Sequence, residues 1–109
     1  MKKFNYSFSD SDVKTLICTL SVMPLVELDG VSDVQQSIND SCCASAVEKL
    51  TAFRTDFIPN EVRVMSASLE LADLILKGDI EVDSEIKKKL SQYLFSINHL
   101  PPIFSSIFD

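Results

Sequence analysis

The feature that most constrains this fold is the stretch of residues 60–78, which is apolar on nearly every side of a helix. One stripe at helical spacing consists of Val62, Met65, Leu69, Ala72 and Leu76. The other faces are filled by Val64, Leu71, Leu74 and Ile75. Asn60 is placed to cap this helix, Gly78 to end it, and Lys77 to complement its dipole. A helix that is apolar nearly all round is normally surrounded by other helices. The sequence therefore predicts it at the centre of a bundle.

The remaining chain supplies the helices around it. Apolar spacing and capping residues predict helices over about 11–22, with Ser9 or Asp10 as the cap, over 32–54, and from 83 or 84 to 99. The second of these is one helix or two, because Asn39-Asp40-Ser41 is a weak point within it. Its residues expected to face the core are Val34, Ile38, Cys42, Ala46, Val47, Leu50 and Phe53. The predicted fold is all-α: a compact antiparallel bundle of four to five helices with a central apolar third helix.

The N-terminal residues do not fit the helical pattern. Aromatic residues alternate with polar ones over residues 4–8, which suits a short strand. No second strand is predicted to pair with it, so the alternative is an extended arm that packs its aromatic rings onto the helices.

Length and charge bound the function. A chain of 109 residues is the size of one domain, which we assign to residues 1–109. Its net charge of −6 disfavours direct binding to nucleic acid and to anionic membranes, and favours a basic protein partner. Three cysteines without disulfide-framework spacing and the lack of an apolar run long enough to cross a bilayer predict a soluble, cytoplasmic protein.

Acidic residues concentrate from the second half of the third helix to the start of the fourth. The candidate partner-binding carboxylates are Glu70, Asp73, Asp79, Glu81, Asp83 and Glu85. Counted from Asp79, a calcium loop would need glycine at its sixth position and glutamate at its twelfth, where this chain has Ser84 and Leu90. We therefore expect neither a metal nor a cofactor. Whether the six carboxylates converge on one face stays open. The simpler interpretation is that Asp83 and Glu85 stabilise the start of the fourth helix through its dipole, and that Glu85 pairs with Lys88 and Lys89.

The C-terminal segment is the second candidate site. A last amphipathic turn is predicted there, and its apolar residues are Ile103, Phe104, Ile107 and Phe108. Such a terminus either docks on its own bundle or is buried in a partner, for example in a homodimer.

The catalytic motifs are sparse. His99 is the only histidine, and the chain has no glycine-rich phosphate loop, no zinc-ligand spacing and no nucleophile elbow. We therefore predict a non-enzymatic protein-interaction domain, most concretely a small acidic inhibitor of the immunity type that occludes a basic, nucleic-acid-cutting toxin. One alternative is a homodimeric scaffold or regulator that uses the C-terminal segment. Another is a small hydrolase that uses Glu70 with Asp73, or Cys42 with His99.

Overall fold

The computed structural model describes residues 3–26 and 30–105, apart from the side chain of Ser105, and confirms an all-α bundle. Its elements in chain order are β1 (Phe4–Asn5), α1 (Asp10–Val22), a 3-10 turn (Met23–Leu25), α2 (Asp33–Thr51), β2 (Asp56–Phe57), α3 (Pro59–Lys77), α4 (Ser84–Ser91), α5 (Leu94–His99) and α6 (Pro101–Ser105).

The third helix lies at the centre, as predicted. It contacts α1, α2, α4, α5 and α6. Most of its apolar side chains are buried, and they lie on more than one face: Val62, Val64, Met65, Leu69, Leu71, Ala72 and Ile75. Helices α1, α2 and α3 pack against one another, and α4, α5 and α6 also contact α3.

The N-terminal residues form both a strand and an aromatic arm. β1 pairs antiparallel with β2, with Phe4 opposite Phe57. The next residues of the arm then pack their rings against Phe104, at centroid distances of 5.3 Å from Tyr6 and 6.1 Å from Phe8. Sequence reasoning missed the partner strand because two residues are too few to show alternation.

The caps of α1 and α2 follow the sequence, whereas that of α3 does not. Ser9 accepts a hydrogen bond from the Asp12 backbone N–H, and Ser32 accepts one from that of Gln35. In α3 the cap position is Ile58, and Asn60 is an exposed residue of the first turn. The reason is Pro59, which holds the preceding residue in extended backbone and suits the first helical position.

The second helix is continuous through Asn39-Asp40-Ser41, but its predicted apolar face is partly wrong. Ala46 and Leu50 are buried as expected, whereas Val34, Ile38 and Phe53 are exposed. Full burial begins only at Cys43, so the first half of α2 lies at the surface.

The predicted fourth helix is two helices. α4 ends at Ser91, where the Gln92 and Tyr93 N–H groups donate to carbonyls three residues earlier, and α5 then begins at Leu94. Pro101 and Pro102 open α6, because proline is tolerated in the first turn of a helix.

Candidate functional site

The six predicted carboxylates lie in one continuous stretch, residues 70–85, which we call the acidic segment. Glu70 and Asp73 belong to α3, Glu85 to the first turn of α4, and the others to the connection between these helices. With six carboxylates and one lysine, the segment holds five of the six net negative charges of the chain. Three exposed lysines, residues 87–89, follow directly on α4. The negative charge is therefore concentrated before α4 and in its first turn.

The local fold directs the carboxylates of the connection outward. Gly78 adopts the left-handed conformation that ends α3, and the next backbone N–H, that of Asp79, donates to the Leu74 carbonyl at 2.9 Å. Beyond this turn the half-buried Ile80 and Val82 pack against the core. Asp79, Glu81 and Asp83 alternate with them and are exposed.

The six carboxylates do not share one hollow, and four of them line two different ones. Glu70 and Asp73 line a hollow of about 470 Å³ together with Asn98 of α5 and Pro101 of α6. Glu81 and Asp83 line another, of about 320 Å³, which also includes Val26, Ile80 and Ile86. Asp79 and Glu85 line neither of these two hollows.

Most of these carboxylates have no positive partner within residues 3–26 and 30–105. Asp73 is the exception, because Lys77 approaches it to 2.8 Å, one helical turn away. The hydrogen bond and the charge of Asp73 raise the pKa of Lys77 above its usual value. Across the described residues no ion pair joins Glu85 to Lys88 or Lys89. Five charges of the acidic segment are thus exposed and unneutralised by a neighbouring cation.

The C-terminal candidate is divided. Phe104 is fully buried in the chain's own core, against Tyr6 and Phe8, while Ile103 is exposed. Ile107 and Phe108 lie outside the described residues. The ring of Phe104 therefore stabilises the bundle itself.

The residues of the hydrolase alternatives have different surroundings. Cys42 lies on α2, where burial and the charge of Glu61 raise the pKa of its thiol, although Arg63 opposes them. His99 lies exposed at the end of α5, and its ring stacks on Phe95 at 5.7 Å. A raised pKa keeps the Cys42 thiol protonated at neutral pH, which is the less nucleophilic form.

Sequence reasoning missed one buried charged cluster. Glu61 is only 1% exposed, and its carboxylate accepts hydrogen bonds from Lys49 Nζ at 2.7 Å, from the Ile58 backbone N–H at 2.9 Å and from Ser45 Oγ. Lys49 also lies 5.8 Å from the centroid of the Phe57 ring. Ser45 and Lys49 are one turn apart on α2, and Glu61 is in the first turn of α3. The glutamate position three residues after the cap is a sequence signal for capping, but not for this burial.

No protein-family model, no curated protein and no solved structure matches this chain. Among residues 3–26 and 30–105, no cluster of three or more histidine, cysteine, aspartate or glutamate side chains is suited to hold a metal ion. In the same residues, no helix has both the length and the apolar character needed to cross a bilayer.

Proposed function

We propose that the chain is a protein-binding domain, most concretely a small acidic inhibitor of the immunity type that binds and occludes a basic, nucleic-acid-cutting protein. The observation that carries the proposal is the acidic segment, where five of the six net negative charges are concentrated and most carboxylates are exposed without a cation beside them. A nuclease surface that binds phosphates carries lysine and arginine. Exposed carboxylates at the positions of the phosphates would satisfy those cations and block the substrate.

Charge of this kind acts mainly on the rate of association. Complementary surfaces steer two proteins together before they touch, and dissolved salt screens the attraction. The proposal assigns the chain no catalytic step, and its mechanism is occlusion of the partner's site.

The first experiment is affinity capture from the native source at low and high salt, with the eluted complex weighed by native mass spectrometry. We expect one basic protein, released by salt, whose activity on nucleic acid is inhibited by the captured chain. Recovery of the chain alone as a salt-stable dimer would contradict the proposal and favour the homodimeric scaffold.

Charge-neutralising variants then test the segment itself. Glu81→Gln with Asp83→Asn should weaken the complex about tenfold, because two unneutralised charges are lost. The matched control is Asp12→Asn with Asp33→Asn. It also removes two carboxylates, which lie in the first turns of α1 and α2 and outside the acidic segment. Equal effects of the two double variants would show that only net charge matters, and would remove the segment as the binding site.

A further inference from the structure

Two hollows lie along the outer side of the α1–α2 pair, and we call the strip that they occupy the α1–α2 groove. At one end, Val13 and Ile17 of α1 and Leu50 of α2 line a hollow of about 280 Å³ that Phe53 borders. At the other end, Leu20, Cys43 and Val47 belong to a hollow of about 340 Å³ that Pro24 borders.

Helix geometry places the two hollows in line on one side of the helix pair. The residues that α1 contributes to its edge are Asp10, Lys14, Ile17 and Ser21, and those of α2 are Asp40, Ala44, Val47 and Thr51. Both sets follow the spacing 4, 3, 4, which places each set on one face of its helix. The helices run antiparallel here, since the start of α1 meets the end of α2. At 1.5 Å per residue, the 13 residues of α1 give a groove about 20 Å long.

The surface of the groove is less polar than the serine and threonine in its lining suggest. Ser21 Oγ donates to the Ile17 carbonyl at 2.6 Å, and Thr51 Oγ1 donates to the Val47 carbonyl at 2.8 Å. Both hydroxyl groups therefore bond within their own helices, and the hollows present mainly carbon to an incoming side chain.

Phe53 is an unusual residue at one end of this groove. Its φ of 56° lies in the left-handed region, which is strained for a bulky side chain and is usually occupied by glycine at a helix end. Its side chain is nevertheless 71% exposed. Strained backbone of this kind clusters at functional sites, so an exposed ring held by it is a candidate for contact with a partner.

The charge at the rim identifies the kind of occupant. Asp10, Asp40 and Glu48 border the hollows against a single lysine, Lys14, and none of the four has an ion pair within the described part of the chain. An apolar groove about one helix long, with a negative rim, complements an amphipathic helix whose polar sides are basic. A second copy of this chain would instead bring a net charge of −6 to an acidic rim.

We propose that the α1–α2 groove binds an amphipathic basic helix of a protein partner, with Phe53 as the aromatic anchor and Asp10, Asp40 and Glu48 as the cation-binding rim. The inference rests on the proposed function only in expecting a basic partner. It places the main contact on a different surface from the acidic segment.

The test uses the full chain and a designed peptide as the probe. The peptide is a helix about four turns long, with leucine at positions i, i+3, i+4 and i+7 of its repeat and lysine elsewhere. A peptide of the same composition in scrambled order and one with glutamate in place of lysine are the probe controls. We expect the leucine–lysine helix to bind more tightly than either control, and to shift the amide NMR signals of α1 and α2.

Two variants of the chain separate anchor from rim. Phe53→Gly removes the ring and supplies the residue that the left-handed backbone favours, so its effect on binding is not a folding effect. We expect it and Glu48→Lys each to weaken peptide binding about tenfold. The matched controls are Phe95→Ala, which removes another exposed ring, and Asp33→Lys, which reverses a carboxylate at the opposite end of α2; both should bind within about twofold of the wild type.

Three outcomes would overturn the groove. They are equal binding of the scrambled peptide, unchanged binding by Phe53→Gly and Glu48→Lys, and a chain dimer that Phe53→Gly dissociates. If binding is instead lost on reversal of Glu81 and Asp83, the proposed function stands and the groove does not. If the natural complex ignores those two residues but fails with Phe53→Gly, the groove stands and the acidic segment does not.

Discussion

Phe53 and Gly78 occupy the same position of the same helix-ending motif, with different residues. After α2, Arg54 N–H donates to the Lys49 carbonyl at 2.9 Å and Phe53 N–H to that of Leu50; after α3, Asp79 and Gly78 make the equivalent bonds to Leu74 and Ile75. Both central residues have positive φ, 56° and 86°. A Cβ on Gly78 would meet nothing within 4 Å, so any penalty for a side chain there is one of backbone conformation.

The left-handed backbone should make glycine the more stable residue at both positions. Gly78→Ala should lower the free energy of unfolding by about 1 kcal/mol, and Phe53→Gly should be more stable than Phe53→Ala by about the same amount. Urea unfolding of the four proteins, wild type included, measures both differences. Equal stabilities of the glycine and alanine variants at position 53 would contradict the strain assigned to Phe53.

Glu61 gives the second residue-scale prediction. Lys49→Met removes a partner and leaves a buried carboxylate underpaired, which should cost about 3 kcal/mol of unfolding free energy. Adding Glu61→Leu removes that charge as well, so the double variant should recover a large part of the loss. Denaturant unfolding measures the stability of both variants. If the two substitutions acted independently, the double variant would be less stable than Lys49→Met alone.

The same carboxylate predicts how stability depends on pH. Burial raises the pKa of Glu61, but the hydrogen bonds from Lys49, Ser45 and Ile58 outweigh it, and the net pKa lies below the usual 4.5. A group whose pKa is lower in the folded state stabilises the fold above its unfolded pKa, and this contribution is lost as the pH falls through the folded pKa. The free energy of unfolding should therefore decrease as the pH falls below about 4.5, and it should decrease less steeply in Glu61→Gln. Parallel curves for the two proteins would show that Glu61 is not responsible.

At the scale of elements, the residues that cap helices can be compared with one that was predicted to cap and does not. Ser9 and Ser32 accept hydrogen bonds from the backbone of the helices that they precede, so Ser9→Ala and Ser32→Ala should each cost about 1 kcal/mol. Asn60 lies inside α3, where no cap bond depends on it. Asn60→Ala should therefore change stability by less than about 0.5 kcal/mol, a contrast that thermal unfolding monitored by circular dichroism measures. A loss for Asn60→Ala as large as for the serines would restore Asn60 as the cap.

Elements were predictable where a local signal agreed with the packing. The third helix has apolar residues on nearly every face and a glycine at its end. These signals predicted its central position and its termination at Gly78. The break between α4 and α5 contains neither proline nor glycine, so nothing local marks it. The spacing of Val34 and Ile38 suggested burial, but whether a helix face is covered depends on where the neighbouring helices end.

The candidate sites follow the same division. Exposure of Asp79, Glu81 and Asp83 could be predicted from their alternation with Ile80 and Val82. The two hollows that carboxylates of the acidic segment line depend on α5, α6 and residues near the 3-10 turn, which the local sequence does not show. The α1–α2 groove was out of reach because its two edges are about 30 residues apart in the chain. Glu61 resembled an ordinary first-turn glutamate, and only the approach of α2 makes it a buried charge.

At the scale of the whole molecule, one aromatic cluster connects the N-terminal arm to α6. Phe104 of α6 contacts Tyr6 and Phe8 of the N-terminal arm, and Tyr6 in turn approaches Phe57 of β2. Phe104→Ala should cost about 3–5 kcal/mol and increase hydrogen exchange at the Tyr6 amide, which donates to the Thr55 carbonyl. Phe95→Ala, at an 81% exposed ring, is the control and should cost under about 0.5 kcal/mol. An arm that stays protected in Phe104→Ala would show that β1 is held by its strand pairing alone.

In one complex, the acidic segment should set the association rate and the α1–α2 groove the dissociation rate. Long-range attraction from the acidic segment acts before contact, so reversing Glu81 and Asp83 should slow association with a basic partner about tenfold at low salt and much less at high salt. Phe53 acts only once the surfaces have met, so Phe53→Gly should leave the association rate nearly unchanged and speed dissociation about tenfold. Association and dissociation rates of the captured partner, measured at two salt concentrations for the wild type and both variants, separate these effects. If both variants changed the same rate constant with the same dependence on salt, the acidic segment and the groove would be parts of one contact surface rather than a steering field and an anchor.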